Sequence, residues 1–224
     1  LYISAFDLSK IMKMLMNKGV YNNIRILNEE TVKEMEKVQW KGGTLLAPVP
    51  AVLVSCGTME KPAAITIAWT GIISTIPPRT YISVRPERYS YDIIKESGEF
   101  TINLPGSNLT KRTDLCGMKT GRKEDKFKTC GFTKLPGEKV SCPSIAECPV
   151  NLECKVEQIL PMGSHHMFIA QIVSVSADKD IMDDNGRLRM DKADILAYVH
   201  GEYFTLGKKT GKFGYSVRRK SRKG

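Results

Sequence analysis

Residues 64–105 read AITIAWTGIISTIPPRTYISVRPERYSYDIIKESGEFTINLP, and the rest of the chain is organised around this stretch. It contains three runs rich in isoleucine, threonine, valine, tyrosine and phenylalanine, at 65–73, 80–84 and 100–104. Glycine or proline marks the ends of these runs, which is typical of strands joined by turns. The stretch therefore predicts three strands.

A short helix is predicted between the second and third runs. Ser90 is expected to cap a helix that begins at Tyr91 and ends at Gly98. Arg85 and Arg88 come just before it, and guanidinium groups beside a helix N-terminus suit a phosphate group. The pattern predicts a phosphate-binding corner. The alternative is that the two arginines are a solvated pair and that Ser90 only caps the helix.

Length and composition predict one substantial core with a possible appendage. The 224 residues are 42% hydrophobic and 26% charged, which is ordinary for a soluble globular protein. No apolar run approaches the ~20 residues that span a bilayer. The first residues are amphipathic, so no signal peptide is expected, and the predicted location is cytoplasmic.

The net charge of +10 raises the question of nucleic-acid binding. Residues 208–224 contain eight lysines and arginines and no acid, so residues 1–207 carry only +2. A basic end of this kind is usually solvated. Since no RNA-binding aromatic signature or helix-turn-helix pattern accompanies the charge, nucleic-acid binding is not favoured.

The six cysteines do not predict a metal site. No two of them have the C-x-x-C spacing common in zinc and iron–sulfur sites. Disulfides are not expected in a chain without secretory features. The equal spacing of Cys142, Cys148 and Cys154 is interpreted as coincidence, because Pro143 and Pro149 interrupt any regular element there.

Residues 1–37 differ from the rest of the chain. Ser4 and Asp7 form an S-x-x-D capping pair before an amphipathic helix that Gly19 ends, and Asn28 is expected to cap a second helix. This segment resembles an internal piece of serine beta-lactamase and penicillin-binding-protein-like hydrolases. The resemblance brings no catalytic motif, so the segment is interpreted as an N-terminal extension.

From residue 38 onward the sequence is rich in strand patterns. Further strands are predicted at 51–56, 152–160, 167–175, 195–199 and 202–204, and Asp183–Gly186 is a turn signal. Short strands with few long helices favour a mainly β, antiparallel barrel. No G-x-G-x-x-G sequence is present, so a Rossmann-type site is not supported. The predicted organisation is an extension at 1–37, a domain at 38–207 and a basic tail at 208–224.

Residues 38–207 resemble the flavin reductase-like, FMN-binding split-barrel family, and within it the flavoredoxin-type proteins. The matching pieces include VQWKGGTLLAPVPAVLVSCG, ITIAWTGI, PPRTYISVRPERYSYDIIKESGEFTINL, GSHHMF and AYVHGEYFTLGKKTGKFGYS. The resemblance implies a Greek-key split β-barrel that pairs as a homodimer, with FMN in a groove near the interface.

The resemblance also implies which residues would hold FMN. Those expected around the isoalloxazine ring are Trp69, Thr70, Gly71, Ser83, Val84, Arg85, Asn103 and Leu104. Those expected near the phosphate are Arg88, Ser90 and Lys126. Cys116 is expected to line the pocket, and His166, next to His165, to contact the flavin or a nicotinamide. Each has a simpler alternative: Trp69 as a core aromatic, Gly71 as a β-bulge, Asn103 as a strand end, and His166 as a surface residue.

The resemblance implies two redox functions. In the first, NAD(P)H delivers hydride to FMN, and no side chain acts as an acid or nucleophile. In the second, the protein is a flavoredoxin-type carrier that keeps FMN bound and exchanges electrons with a partner protein. A flavin-binding or nucleic-acid-binding module without redox activity remains a third possibility.

Overall fold

The computed structural model describes residues 4–35 and 38–217. The predicted basic tail therefore lies partly outside the described residues, from 218 onward. Contacts between Cα atoms divide the chain into two units, 1–45 and 46–224, each compact by itself. Within the described ranges, every helix is too short or too polar to cross a membrane.

The first unit contains two helices and a small hairpin. Its elements are α1 (Ala5–Met16), β1 (Val20–Tyr21), β2 (Ile24–Arg25) and α2 (Glu29–Met35). The two predicted caps are present. The Ser4 hydroxyl accepts from the Asp7 N–H at 3.1 Å, and the Asn28 carboxamide oxygen accepts from the Thr31 N–H at 2.6 Å.

The second unit is mainly β. Its strands are β3 (Val49–Pro50), β4 (Val52–Gly57), β5 (Pro62–Ile67), β6 (Thr70–Thr75), β7 (Pro78–Val84), β8 (Glu99–Leu104), β9 (Lys134–Leu135), β10 (Ser144–Ile145), β11 (Val150–Met162), β12 (His165–Ala177), β13 (Leu196–Val199) and β14 (Glu202–Thr205). Its helices are α3 (Tyr89–Ser97), α4 (Thr110–Met118) and α5 (Lys126–Cys130).

Seven strands form one antiparallel sheet in the order β5-β4-β8-β11-β12-β7-β6. Strands β5 and β6 stand at opposite edges, yet only residues 68 and 69 separate them in the sequence. The chain thus passes from one edge of the sheet to the other, and the Ser83 N–H donates to the Trp69 carbonyl at 2.9 Å. The sheet therefore curls into a barrel, as predicted, with β14-β13-β3 as a separate three-stranded sheet.

The barrel is filled by side chains that alternate inward along its strands. Val54, Ile82, Phe100 and Phe168 are fully buried and belong to one cluster. In β7 the buried Ile82 and Val84 alternate with more accessible neighbours, as the two-residue period of a strand requires. The core thus fixes which β7 side chains point outward to the site.

Two local predictions need correction. The first predicted strand is two strands, because the chain leaves β5 at residue 68 and enters β6 at Thr70. The helix begins at Tyr89 rather than Tyr91, with Arg88 at the N-cap position, so Ser90 lies in the first turn and is not the cap. Gly98 ends the helix as predicted, at a φ of 67° that favours glycine.

Candidate functional site

A cavity of about 410 Å³ opens beside the two-residue crossing between β5 and β6. Trp69 lies on one side of it, 36% exposed, and so is not a core aromatic. Ser83, Val84 and Arg85, at the end of β7, also line it. The sheet crossing and the end of β7 therefore bring together four of the residues predicted to surround a ring.

A second, smaller cavity of about 180 Å³ adjoins the first, because Ile65 and Arg88 line both. It contains the three residues predicted for a phosphate, Arg88, Ser90 and Lys126. Arg88 and Ser90 come from the start of α3, whereas Lys126 is the first residue of α5. The fold joins two sequence-distant segments in one polar corner.

Lys126 is a buried cation in this corner. Its side chain is 95% buried (5% exposed), and its ammonium donates to the Cys116 carbonyl at 2.7 Å. Within the described ranges no carboxylate forms an ion pair with it. Burial lowers the pKa of Lys126 below its usual value. Because a buried cation without a counter-charge is costly, the corner is suited to an anionic ligand.

The start of α3 adds further donors to the corner. Arg88 occupies the N-cap position without a side-chain capping bond, so the first N–H groups of the helix are not capped by a side chain. The Arg88 guanidinium donates to the Gly117 carbonyl at 3.3 Å, which fixes it beside α4. An uncapped helix start between two cations is an arrangement that binds phosphate.

His165 rather than His166 lines the larger cavity. Neighbouring residues of β12 point to opposite sides of the sheet, and His166 turns inward, where its Nδ1 lies 2.7 Å from the Tyr91 hydroxyl. Burial and the nearby Arg85 lower the pKa of His165 below its usual value, which favours the neutral ring. The structure therefore places His165, and not the predicted His166, at the cavity.

Asn103 and Leu104 do not reach either cavity. The Asn103 amide nitrogen donates to the Leu53 carbonyl and the Ser55 hydroxyl, both at 2.9 Å. Its oxygen accepts from the Ile145 N–H at 2.9 Å and from Asn151 at 2.8 Å. The Leu104 side chain packs against the barrel core. Asn103 therefore holds strands together, and its predicted place at a flavin edge is corrected.

Thr70, Gly71 and Cys116 are also absent from the residues that line the two cavities. The Thr70 hydroxyl donates to the Tyr81 carbonyl at 2.5 Å, and a Cβ at Gly71 would approach the Tyr81 ring to 3.2 Å. Cys116 is fully buried, and burial raises its pKa to about 12. Its carbonyl, rather than its thiol, contributes to the site by anchoring Lys126.

The sequence did not single out one wall of the larger cavity. Asp114 of α4 and Tyr198 and Tyr203 of the three-stranded sheet line it. The Tyr203 hydroxyl donates to the Asp114 carboxylate at 3.3 Å, and burial together with this carboxylate raises the pKa of Tyr203 to about 12. The contact between Tyr203 and Asp114 joins residues 89 positions apart, so local sequence gives little sign of it. The one signal was the AYVHGEYF stretch of the family resemblance, which contains Tyr198 and Tyr203.

Within the described ranges, no group of three His, Cys, Asp or Glu side chains could hold a metal ion. The six cysteines are all buried and unbridged. The two cavities of the described residues combine apolar and aromatic walls with a cationic corner.

Comparison with known proteins gives consistent matches. The sequence profile of the flavin reductase like domain matches residues 45–207. A protein from Archaeoglobus fulgidus is 34% identical over 160 residues, covering 71% of this chain and 89% of that protein. Flavoredoxin of Desulfovibrio vulgaris (Miyazaki F) has 31% identity and a TM-score of 0.77, and flavoredoxin from Methanosarcina acetivorans has 28% and 0.75. Both structural matches cover 82% of this chain and 100% of the other.

Proposed function

Because the chain belongs to the flavin reductase like domain family, we propose that it binds FMN and transfers electrons from NAD(P)H through the flavin to an acceptor. The flavoredoxins similar to it support a flavin cofactor. The observation that carries the proposal is the corner of Arg88, Ser90 and the buried Lys126, which adjoins a cavity large enough for a flat ring system.

The residues fit FMN in two parts. The phosphate would lie against the first N–H groups of α3, with Arg88 on one side and Lys126 on the other. The ring system would occupy the larger cavity, with Trp69 and the end of β7 as its walls. Ligand sites of this kind combine apolar walls with a few placed polar groups. Both parts of FMN therefore meet complementary chemistry in one continuous space.

The flavin supplies the redox chemistry when bound, by accepting and passing on electrons. The protein residues orient it, exclude part of the solvent and set the charge around it. His165, whose pKa is lowered by burial and by Arg85, lines the larger cavity together with the cationic Arg85. Arg85 can attract an anionic nucleotide such as NAD(P)H, although its ion pair with Glu87 at 3.3 Å moderates that charge.

An electron carrier is the second candidate function. The similarity to two flavoredoxins favours it, since each of them matches 82% of this chain over its whole length. Anaerobic mixing of the flavin-loaded protein with NADH or NADPH distinguishes the two. Rapid loss of the oxidised-flavin absorption supports the reductase, whereas a stable oxidised spectrum with either nucleotide supports the carrier. A protein that stays colourless after incubation with FMN would contradict both.

We also infer that the protein forms a homodimer through the outer edge of the barrel. Strand β6 is an edge of the seven-stranded sheet, and its Ile72 and Ile73 are 65% and 46% exposed; Ile76, in the turn that follows β6, is 94% exposed. An exposed apolar edge strand promotes association unless it is covered. A second copy would cover it, and β6 starts directly after Trp69, so the interface would lie near the flavin.

The phosphate assignment is tested by the double variant Arg88→Ala/Ser90→Ala. Each lost charge-assisted hydrogen bond costs about 1.5–3 kcal/mol, so FMN affinity should fall by at least roughly tenfold. Isothermal titration of flavin-free protein with FMN measures the change. Unchanged affinity in a folded double variant would refute the assignment.

A further inference from the structure

Two buried cysteines lie side by side next to the phosphate corner. The Sγ atoms of Cys116 in α4 and Cys130 in α5 are 3.7 Å apart. No other pair among the six cysteines, all of which lie in the described ranges, has its sulfur atoms in such contact. Cys116 is fully buried and Cys130 is 6% exposed. The fold therefore brings together two thiols that are 14 positions apart in the sequence.

The two thiols belong to the same segments that build the corner. The carbonyl of Cys116 accepts from the Lys126 ammonium at 2.7 Å, and Cys130 is the last residue of the helix that Lys126 begins. The chain between the two cysteines contributes residues 119–121 to the corner. A bond between the two sulfur atoms would therefore join α4 and α5, the two helices that meet at Lys126.

The sulfur atoms are close enough to bond after small movements. A disulfide bond is about 2.05 Å long, so each sulfur has to move by about 1 Å from its present position. Rotation about the Cα–Cβ bonds moves a sulfur atom by this much. In addition, α5 has only five residues and follows an irregular loop, so it can shift together with Cys130.

Cys130 is the thiol that an oxidant meets first. It has the exposed fraction that Cys116 lacks, and the Cys116 thiol can donate to its sulfur. Burial raises the pKa of Cys130, but this hydrogen bond and the nearby Arg112 and Lys126 act in the opposite direction. Burial raises the pKa of Cys116 to about 12. Because the thiolate is the nucleophile, Cys130 is the better group to attack an oxidant, and Cys116 is placed to react with the product.

We propose that Cys116 and Cys130 are a reversible redox pair, which hydrogen peroxide converts to a disulfide and a dithiol reductant returns to two thiols. The Cys130 sulfur attacks one peroxide oxygen, the O–O bond breaks, and Cys130 becomes a sulfenic acid as one water leaves. The Cys116 sulfur then displaces the hydroxyl from Cys130, and the Cys116 proton leaves with that hydroxyl as a second water. The two thiols lose two electrons in total, and the peroxide is reduced to two waters.

The redox pair also acts on the flavin site, and this part of the inference rests on the proposed function. The disulfide would hold α4 and α5 together around the contact between Lys126 and the Cys116 carbonyl, so less of the corner has to be ordered when a phosphate binds. Oxidised protein should therefore release FMN more slowly than reduced protein. The pair would set whether the flavin exchanges, as a substrate of a reductase does, or stays bound, as in a carrier.

The first measurement is made without flavin. Wild-type protein treated with hydrogen peroxide should lose two of its six free thiols and about 2 Da, the mass of two hydrogens. Trypsin cleaves the unfolded chain within residues 119–128, so the two cysteine peptides should be joined after oxidation and separate after dithiothreitol. Cys130→Ala should form no such link. Cys154→Ala is the matched control, because it removes a fully buried cysteine of the barrel core and should still form the link.

The second measurement follows the release of FMN. Flavin-loaded protein, oxidised or reduced, is diluted, and the rise of flavin fluorescence gives the dissociation rate. Oxidation should slow release about 2- to 10-fold, the gain expected when one long side chain no longer has to be ordered on binding. Dithiothreitol should restore the faster rate. Cys130→Ala should release FMN at the same rate with and without peroxide, whereas Cys154→Ala should respond as the wild type does.

Each contrary outcome overturns a separate part of the inference. Peroxide that adds oxygen to Cys130 without joining it to Cys116, or that joins either one to another cysteine, would overturn the redox pair. A disulfide that leaves the rate of FMN release unchanged would overturn its effect on the corner. A disulfide that forms in a protein that binds no FMN in either state would refute the proposed function and leave the redox pair standing.

Discussion

Lys126→Met removes one cation of the phosphate corner, leaves Arg88, and keeps the length of the side chain. The Lys126 ammonium donates to the Cys116 carbonyl at 2.7 Å, and the side chain is 5% exposed, so methionine replaces a buried cation with a buried apolar group. The change leaves the uncapped start of α3 in place. It thus isolates the contribution of one charge to phosphate binding.

The expected effects on binding and on stability have opposite signs. A charge-assisted hydrogen bond to phosphate contributes about 1.5–3 kcal/mol, so FMN should bind roughly 10- to 150-fold more weakly. Riboflavin lacks the phosphate, and its affinity should not change. In the flavin-free protein the variant should unfold at the same or a higher temperature, because replacing an uncompensated buried charge by an apolar side chain is neutral or stabilising.

The pH dependence follows from the lowered pKa of Lys126. Since the unfolded state binds this proton more tightly than the folded state, the free energy of unfolding should rise with pH between the lowered pKa and the ordinary value of 10.5. A bound phosphate favours the protonated form, so FMN should reduce this rise. The methionine variant should lack this component of the pH dependence.

Fluorescence titration with FMN and riboflavin, and thermal unfolding of the flavin-free protein, measure these effects. Lys128→Met is the control, because Lys128 lies on the same helix with an exposed side chain. An equal loss of FMN and riboflavin affinity in Lys126→Met would refute the reasoning, since it would show a general disturbance of the pocket. FMN affinity equal to wild type would show that Lys126 does not contact the phosphate.

Two further predictions concern the barrel. Asn103→Ala orphans at least two buried donors, at about 1–3 kcal/mol each, so the midpoint of thermal unfolding should fall by roughly 4–24 °C. The exposed Asn185→Ala should have little effect, and an unchanged midpoint in Asn103→Ala would contradict its role in the core. Ile76→Lys, at a position 94% exposed, should convert a dimer to a monomer, as measured by light scattering after gel filtration. Val175→Lys, also at an exposed position, should leave the dimer intact. A persistent dimer in Ile76→Lys would exclude this edge as the interface.

Much of the fold could be predicted because its signals are local. The strand runs, the Gly98 helix end and the caps at Ser4 and Asn28 each depend on residues within a few positions of one another. The break between β5 and β6 was missed for a physical reason. The run 65–73 has no charged residue and no turn signal at residues 68 and 69, and the periodicity of its side chains does not show where the chain crosses from one sheet edge to the other.

The site residues also divide into those that local sequence predicts and those that depend on distant contacts. Arg88 and Ser90 are neighbours in sequence, so their common place was predictable, even though the helix starts two residues earlier than expected. Asn103 was misassigned because a polar residue at a strand end gives no sign of its partners. Apart from the Thr101 carbonyl, its described partners come from distant parts of the chain: Leu53, Ser55, Ile145 and Asn151. Which of two adjacent histidines faces the cavity depends on strand register, which local sequence does not determine.

The strand crossing explains why the proposed ring and phosphate sites adjoin. The two residues between β5 and β6 span the barrel opening, so Trp69 stands at the edge where β7 ends, and α3 starts five residues after Val84. The end of β7 thus provides the ring wall through Ser83 and Arg85, and the chain leading from it provides the phosphate donors. Lys126 completes the corner from another helix. In the proposed site, a flavin would therefore lie across the junction of these elements, with its ring beside Trp69 and the end of β7 and its phosphate at the start of α3.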